Sequence, residues 1–230
     1  MKKIILGSLL LVIIGCSSLK KVAFKSPVDT TTKKIHLQKK AIYSIDDIGV
    51  YASNKFDGAR LNGFEKVNDS TVQAIIKPEN TPINNSAYYS FKIWSKKQRT
   101  LYIQFQYPKE FNHRYTPKIK TISSNWKALD STNIYKRDDI TFIKLAINKD
   151  TTWVSAQELV TSKDTENWYK SLIKGKESYV YLKNVGISKL GRNLPVLDIY
   201  KGSKKQKPII VLLTRQHPPE VTGFFAFQEF

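Results

Sequence analysis

The chain has 230 residues, 41% hydrophobic and 12% aromatic, which excludes an intrinsically disordered protein and allows one large domain or a medium one plus part of another. Its single cysteine excludes any disulfide within the chain. The formal charge of +19 is spread over lysine pairs such as Lys20-Lys21, Lys33-Lys34, Lys39-Lys40, Lys96-Lys97 and Lys204-Lys205. No zinc-finger spacing, RNP-type aromatic motif or basic helix accompanies them, so nucleic acid is not an expected partner. The lysines read as solvated surface with an attraction for anionic lipid or polysaccharide.

At the N-terminus, Lys2-Lys3 precedes an apolar run from Ile4 to Ile14, then Gly15-Cys16. The run is short for a bilayer span and reads as a signal peptide, residues 1–15. The sequence IIGC resembles a bacterial lipoprotein lipobox, which implies lipidation of Cys16 and stable membrane anchoring through its acyl chains. Ser17 follows where an inner-membrane retention signal has Asp, so the resemblance points to an outer-membrane lipoprotein. Residues 16–40 are polar, rich in Thr and Lys, and read as a lipidated tether. His36, near its end, reads as a solvated residue.

From residue 41 to 154 the pattern is of short strands divided by turn signals. Strands are expected over 48–53, 61–67, 71–76, 87–94, 100–107, 117–123, 126–129 and 139–147, with Asn68-Asp69-Ser70 as a hairpin turn and 78–85 as a proline loop. In 100–107, Leu101, Ile103, Phe105 and Tyr107 share one face and Tyr102, Gln104 and Gln106 the other. Strands at this spacing without helices between them predict an N-terminal β-sandwich. His113, after Tyr107-Pro108, has no acidic or cysteine neighbour at ligand spacing and reads as a loop histidine.

The texture changes near residue 155. Helices are expected at 156–160 and 166–173, the second closed by Gly175. Strands are expected at 179–182, 194–200 and 208–213, the last with the continuous apolar character of a strand buried on both faces. A helix should follow from Pro219 or Glu220. The expectation for 155–230 is therefore an α/β domain, incomplete at residue 230. Phe224, Phe225, Phe227 and Phe230 would cover a helix on several sides, as in a helix buried in a larger body. In this chain strand 208–213 should lack part of its sheet and the last helix should pack poorly.

His217 lies just beyond the carboxyl end of the 208–213 segment, where open α/β sheets place ligand sites. Pro219 disfavours helical geometry at Pro218, so His217-Pro218-Pro219-Glu220 forms a turn. An imidazole and a carboxylate three residues apart on such a turn can converge on one Zn²⁺, although His-x-x-Glu alone is a weak signal and is more often a plain sheet-edge turn.

The stretches ISKLGRNLPVLDIY (187–200) and KPIIVLLTRQHPPEVTG (207–223) resemble the start of a zinc carboxypeptidase domain. The His-Pro-x-Glu form, with Arg215 shortly before it, is similar to the cytosolic carboxypeptidase branch, in which a β-sandwich directly precedes the catalytic domain. The resemblance implies His217 and Glu220 as the first two zinc ligands, with Arg215 as a residue lining the substrate site and Arg192 as a structural signature residue. The third zinc ligand, the general-base glutamate and the Asn-Arg pair that holds the substrate carboxylate have no matching position, so no catalytic residue is assigned in this chain. Where the digestive branch has a substrate-contacting arginine, this chain has Pro219. The expected function is that of the N-terminal part of a membrane-anchored zinc carboxypeptidase-like peptidase acting on peptides, inactive as this chain alone. The alternative is a non-enzymatic, envelope-anchored lipoprotein that binds peptide or glycan, or a pseudo-peptidase.

Overall fold

The computed structural model describes residues 36–78, 88–109, 111–205 and 207–229. The expected signal peptide, Cys16, the tether up to residue 35, most of the proline loop and Phe230 lie outside the described residues.

Eleven strands come first: β1 (Ile42–Ile45), β2 (Val50–Ser53), β3 (Gly63–Asn68), β4 (Thr71–Ile75), β5 (Ser90–Ser95), β6 (Arg99–Gln106), β7 (Lys118–Thr121), β8 (Lys127–Ala128), β9 (Ile134–Arg137), β10 (Ile140–Ile147) and β11 (Thr152–Ser155). They form a six-stranded sheet ordered β1-β2-β5-β11-β7-β8 and a five-stranded sheet ordered β3-β4-β6-β10-β9. All pairings are antiparallel except β4 with β6. That parallel pair arises because the chain leaves β4, passes through β5 in the other sheet and returns to β6 beside β4. The sequence did not point to β1, β9 or β11. β9 and β10 are joined by Asp138-Asp139, both with positive φ (47° and 64°), the backbone a two-residue primed hairpin turn requires.

Alternation along the central strands β4, β5, β6 and β10 sends every second side chain into one core shared by the two sheets. Val50, Ala52, Phe91, Ile93 and Val154 enter it from the first sheet, and Val72, Ala74, Leu101, Ile103 and Ile143 from the second. Tyr102, Gln104 and Gln106 of β6 stay half-exposed, as their alternation predicts. Burying Leu101 or Ile103 contributes about 1.5–3 kcal/mol each.

Among the polar side chains built into this region are Asn54 and His113. Asn54, fully buried after β2, accepts from the Ala41 amide (2.7 Å) and donates to the carbonyls of Leu61 (2.7 Å) and Lys39 (2.8 Å). His113 is a loop residue, but its ring is part of the packing: it stacks on Tyr89 (centroids 5.6 Å apart) and lies 4.8 Å from Phe105. Its Nε2 lies 2.6 Å from the Tyr115 carbonyl, an acceptor, so Nε2 carries the hydrogen; Nδ1 of the neutral ring then accepts from the Tyr107 hydroxyl at 3.1 Å. His36, by contrast, is exposed.

Beyond β11 come α1 (Ser162–Ile173), β12 (Val180–Ile187), β13 (Asn193–Ile199) and α2 (Val221–Glu229). Two expectations need correction here. The first concerns 156–160, which is not helical: Ala156 continues the β11 pairing by donating to the Tyr89 carbonyl (2.9 Å), and the helix starts only after the capping box of Thr161 with Asp164. The second concerns 208–213, which pairs with no strand. Ile209 and Ile210 are 88% and 83% exposed, and the two-stranded β12-β13 hairpin also leaves Leu182, Val185 and Ile187 exposed. An apolar run becomes a buried strand only when neighbours supply both hydrogen bonds and cover, and the described residues supply neither here. The last helix packs better than expected: Val221 and Phe224 are buried, and Trp168 of α1 meets Phe224 and Phe227 edge-on at 5.5 and 5.9 Å.

Two measurements test this picture. Amides 209–213 should exchange with deuterium at nearly unprotected rates while β6 and β10 exchange only on global unfolding; full protection of 209–213 would contradict their unpaired state. Burial lowers the His113 pKa from its ordinary 6.5, so an unfolded chain takes up the proton first as pH falls. The stability this residue contributes is complete above pH 6.5 and is lost as pH drops through the depressed value. Tm should therefore decline on acidification below neutrality, and the decline should be shallower in His113→Gln.

Candidate metal centre

Position 217 is fixed by what lies on both sides of it. After the extended 208–213 segment the chain turns at Arg215, whose φ of 56° is left-handed, a conformation that side chains hold only where surroundings enforce it. Here the enforcing contacts are visible. The Arg215 guanidinium donates to the Val160 carbonyl at 2.6 Å and lies over the Phe224 ring at 6.0 Å. Its Nε is buried and has no hydrogen-bond partner among the described residues. Burial pushes its pKa below the ordinary value, opposed by Tyr88 and by Asp164.

From that turn His217 and Glu220 face each other. The His217 backbone amide donates to Glu220 Oε2 (3.0 Å), His217 Nδ1 lies 2.6 Å from Glu220 Oε1, and the Glu220 amide donates to the His217 carbonyl (3.2 Å). The ring and amide hydrogen bonds from His217 hold the Glu220 carboxyl below the usual carboxylate range. The carboxylate is therefore ionised at neutral pH, and Nδ1 carries the hydrogen. Both side chains remain about half-exposed (53% and 44%). An open depression of about 630 Å³ adjoins Glu220, lined by Leu212, Thr214, Arg215, Glu220 and Phe227 among others, and His217 is not part of its lining.

As a donor set the pair fits zinc in kind, an imidazole nitrogen and an ionised carboxylate oxygen on a shared turn. Here, however, the two hydrogen-bond to each other, and holding one ion together would require that bond to open and Nδ1 to give up its hydrogen. The set is incomplete in number. No cluster of three or more His, Cys, Asp or Glu residues suited to a metal occurs among the described residues.

The sequence missed what supports the turn. Arg192 reaches back to the loop after β2, where one terminal nitrogen pairs with Asp57 Oδ1 at 3.0 Å and the other bonds the Ser162 hydroxyl at the start of α1. The same loop presents Gly58, whose carbonyl accepts from the Tyr88 hydroxyl (3.1 Å) and whose Cα faces Leu159. Loop 54–60 and segment 156–162 thus form a junction that holds both Arg192 and, through Val160, Arg215. Partners 135 residues apart leave no local pattern to read.

No protein-family model and no curated protein matches the sequence. The fold does match solved structures. A chain assigned as a carboxypeptidase A from Shewanella denitrificans has 15% identity and a TM-score of 0.64, over 77% of this chain and 46% of that one. A metallo-carboxypeptidase from Burkholderia cenocepacia has 12% identity and a TM-score of 0.61, over 76% of this chain and 46% of its own. A metallo-carboxypeptidase from Pseudomonas aeruginosa, in complex with (2-guanidinoethylmercapto)succinic acid, has 10% identity and a TM-score of 0.51, over 66% and 41%. The largely β-sheet fold of this chain is thus similar to that of metallo-carboxypeptidases, and the chain spans less than half the length of those structures.

A pair of glycine substitutions tests the junction. Gly58 and Gly175 share a φ of +76°, but a Cβ at Gly58 would lie 2.6 Å from Leu159 Cδ1, whereas one at Gly175 would meet nothing within 4 Å. Gly175→Ala should cost only the left-handed backbone penalty of about 1–2 kcal/mol. Gly58→Ala should cost more, because Leu159 must also move. Equal losses in urea denaturation would show that the Leu159 contact carries no weight.

Proposed function

We propose that the chain is the N-terminal part of a membrane-anchored zinc carboxypeptidase-like peptidase: a β-sandwich over 41–154, followed by the start of an α/β catalytic domain at 155–230. The observation that carries this reading is the 2.6 Å approach of His217 Nδ1 to Glu220 Oε1, on the turn into α2, in a fold similar to metallo-carboxypeptidases. His217 and Glu220 supply two of the donors for Zn²⁺. When bound, zinc supplies Lewis-acid polarisation of a scissile carbonyl and lowers the pKa of its water towards ~7. His217 contributes the imidazole and Glu220 the charge that offsets part of the metal's. Arg215 presents a guanidinium beside the same depression, able to hold a peptide carboxylate by charge-assisted hydrogen bonds. Cys16 carries the lipid anchor, and the protein works at the outer membrane on peptide substrates.

Two donors without a third ligand or a general base hold metal weakly and do not complete a hydrolytic site. The 230-residue chain should bind zinc weakly in calorimetry, and His217→Ala with Glu220→Ala should abolish that binding. Zinc uptake unchanged in the double variant would remove these residues from the metal site. Zinc-dependent hydrolysis of a peptide by the 16–230 segment would overturn the expectation that this part is inactive alone.

A further inference from the structure

The outward face of the six-stranded sheet carries a row of rings and lysines. Tyr51 on β2 pairs in register with Trp94 on β5, and their rings stack with centroids 5.7 Å apart and planes within 17°. On β11, Trp153 pairs in register with Lys92 of β5 on one side and Lys120 of β7 on the other. Lys92 Nζ lies 5.0 Å from the Trp153 ring centroid, and Lys96 Nζ lies 5.8 Å from that of Tyr51.

The charge balance of this face is one-sided. Lys118 is neutralised by Glu158 at 3.1 Å, and Asp46 accepts from the Tyr51 hydroxyl at 3.2 Å. Lys92 and Lys120 have no ion-pair partner among the described residues. At one end the face is closed, because Ser53, Ser90 and Ser155 are buried. What stays open is a strip of three half-buried rings with lysines between them.

We infer that this strip is a binding face for an acidic polysaccharide, with sugar rings lying on Trp153 and Trp94 and their carboxylates meeting Lys92, Lys96 and Lys120. The rings lie too low to enter a bilayer: all three are half-buried, whereas insertion needs protruding apolar side chains. An aromatic surface suits the C–H faces of sugars, and the ammonium groups of Lys92 over Trp153 and Lys96 over Tyr51, with Lys120 beside Trp153, attract anions to it. This inference is independent of His217 and Glu220.

The test is binding of the 230-residue chain to polygalacturonate, with neutral dextran and phosphatidylglycerol vesicles as comparisons. Saturable binding that weakens with salt is expected for polygalacturonate, and little for dextran. Lys92→Gln with Lys120→Gln should weaken it about tenfold, and Trp153→Ala at least as much. Lys144→Gln with Lys149→Gln, the same loss of charge elsewhere, should change it far less, all variants being matched by thermal melting. Absence of saturable binding to polygalacturonate would overturn the inference. So would equal losses in the two lysine pairs, or vesicle binding that depends on Lys92 and Trp153 while polygalacturonate is ignored.

Discussion

A buried asparagine sets the geometry on which the later parts of the molecule rest. Asn54 is enclosed at the end of β2, where an amide left unpaired would cost roughly 1–3 kcal/mol. Its donors and acceptor are all used, on Ala41, Lys39 and Leu61 together with Gln38, so the chain entering β1 and the chain leaving β2 are tied at one point. The loop between Asn54 and Leu61 then has little freedom. It is this loop that offers Asp57 to Arg192 and Gly58 to Leu159 and Tyr88. The order of residues 156–220 is thus inherited from a hydrogen-bonded corner of the strand-rich region.

Such an arrangement explains a difference in character between the two parts. Residues 41–155 close their own core: two sheets bury both rows of alternating apolar side chains, and each strand finds its partners. Residues 180–213 do not. Leu182, Val185, Ile187 and the run from Ile209 to Leu213 leave aliphatic area in water that a sheet layer packed over them would remove. α1 and α2 hold each other through Trp168 and Phe224, and two arginines fasten this part to the junction. Few contacts of this kind mean local opening at low free energy, so the His217-Glu220 turn is less rigid than the core it is joined to.

How much was legible in the sequence follows from which forces are local. The alternation in Leu101-Tyr102-Ile103-Gln104-Phe105 survives folding because both its faces are satisfied by neighbouring strands. The i,i+3 spacing of His217 and Glu220 was readable for the same reason: two prolines and three residues of chain determine most of that geometry. The 208–213 run was misleading because apolarity reports only that burial is favourable, while strand formation needs a partner edge. Segment 156–160 was misleading because its ends bond elsewhere: the Ala156 amide to the Tyr89 carbonyl, and the Val160 carbonyl to Arg215. Arg192 with Asp57, and the row from Tyr51 to Lys120, lie across strands far apart in sequence, where no period of two or 3.6 carries information.

The half-exposure of His217 and Glu220 bears on how such a pair would work. In water a carboxylate and an imidazole gain little from each other, because the dielectric is high and both keep their hydration. Were the pair to hold a metal, as proposed, the turn would already place both side chains together, so less ordering entropy would oppose binding, although their mutual hydrogen bond would have to give way. Pre-setting costs the strained φ at Arg215, and the compensation is its bond to Val160 and the packing on Phe224. The His217-Glu220 turn and the junction are therefore linked through Arg215. Loss of the Arg215–Val160 bond would release the turn without touching His217 or Glu220, so the geometry of that pair depends on the segment that follows the strand-rich region.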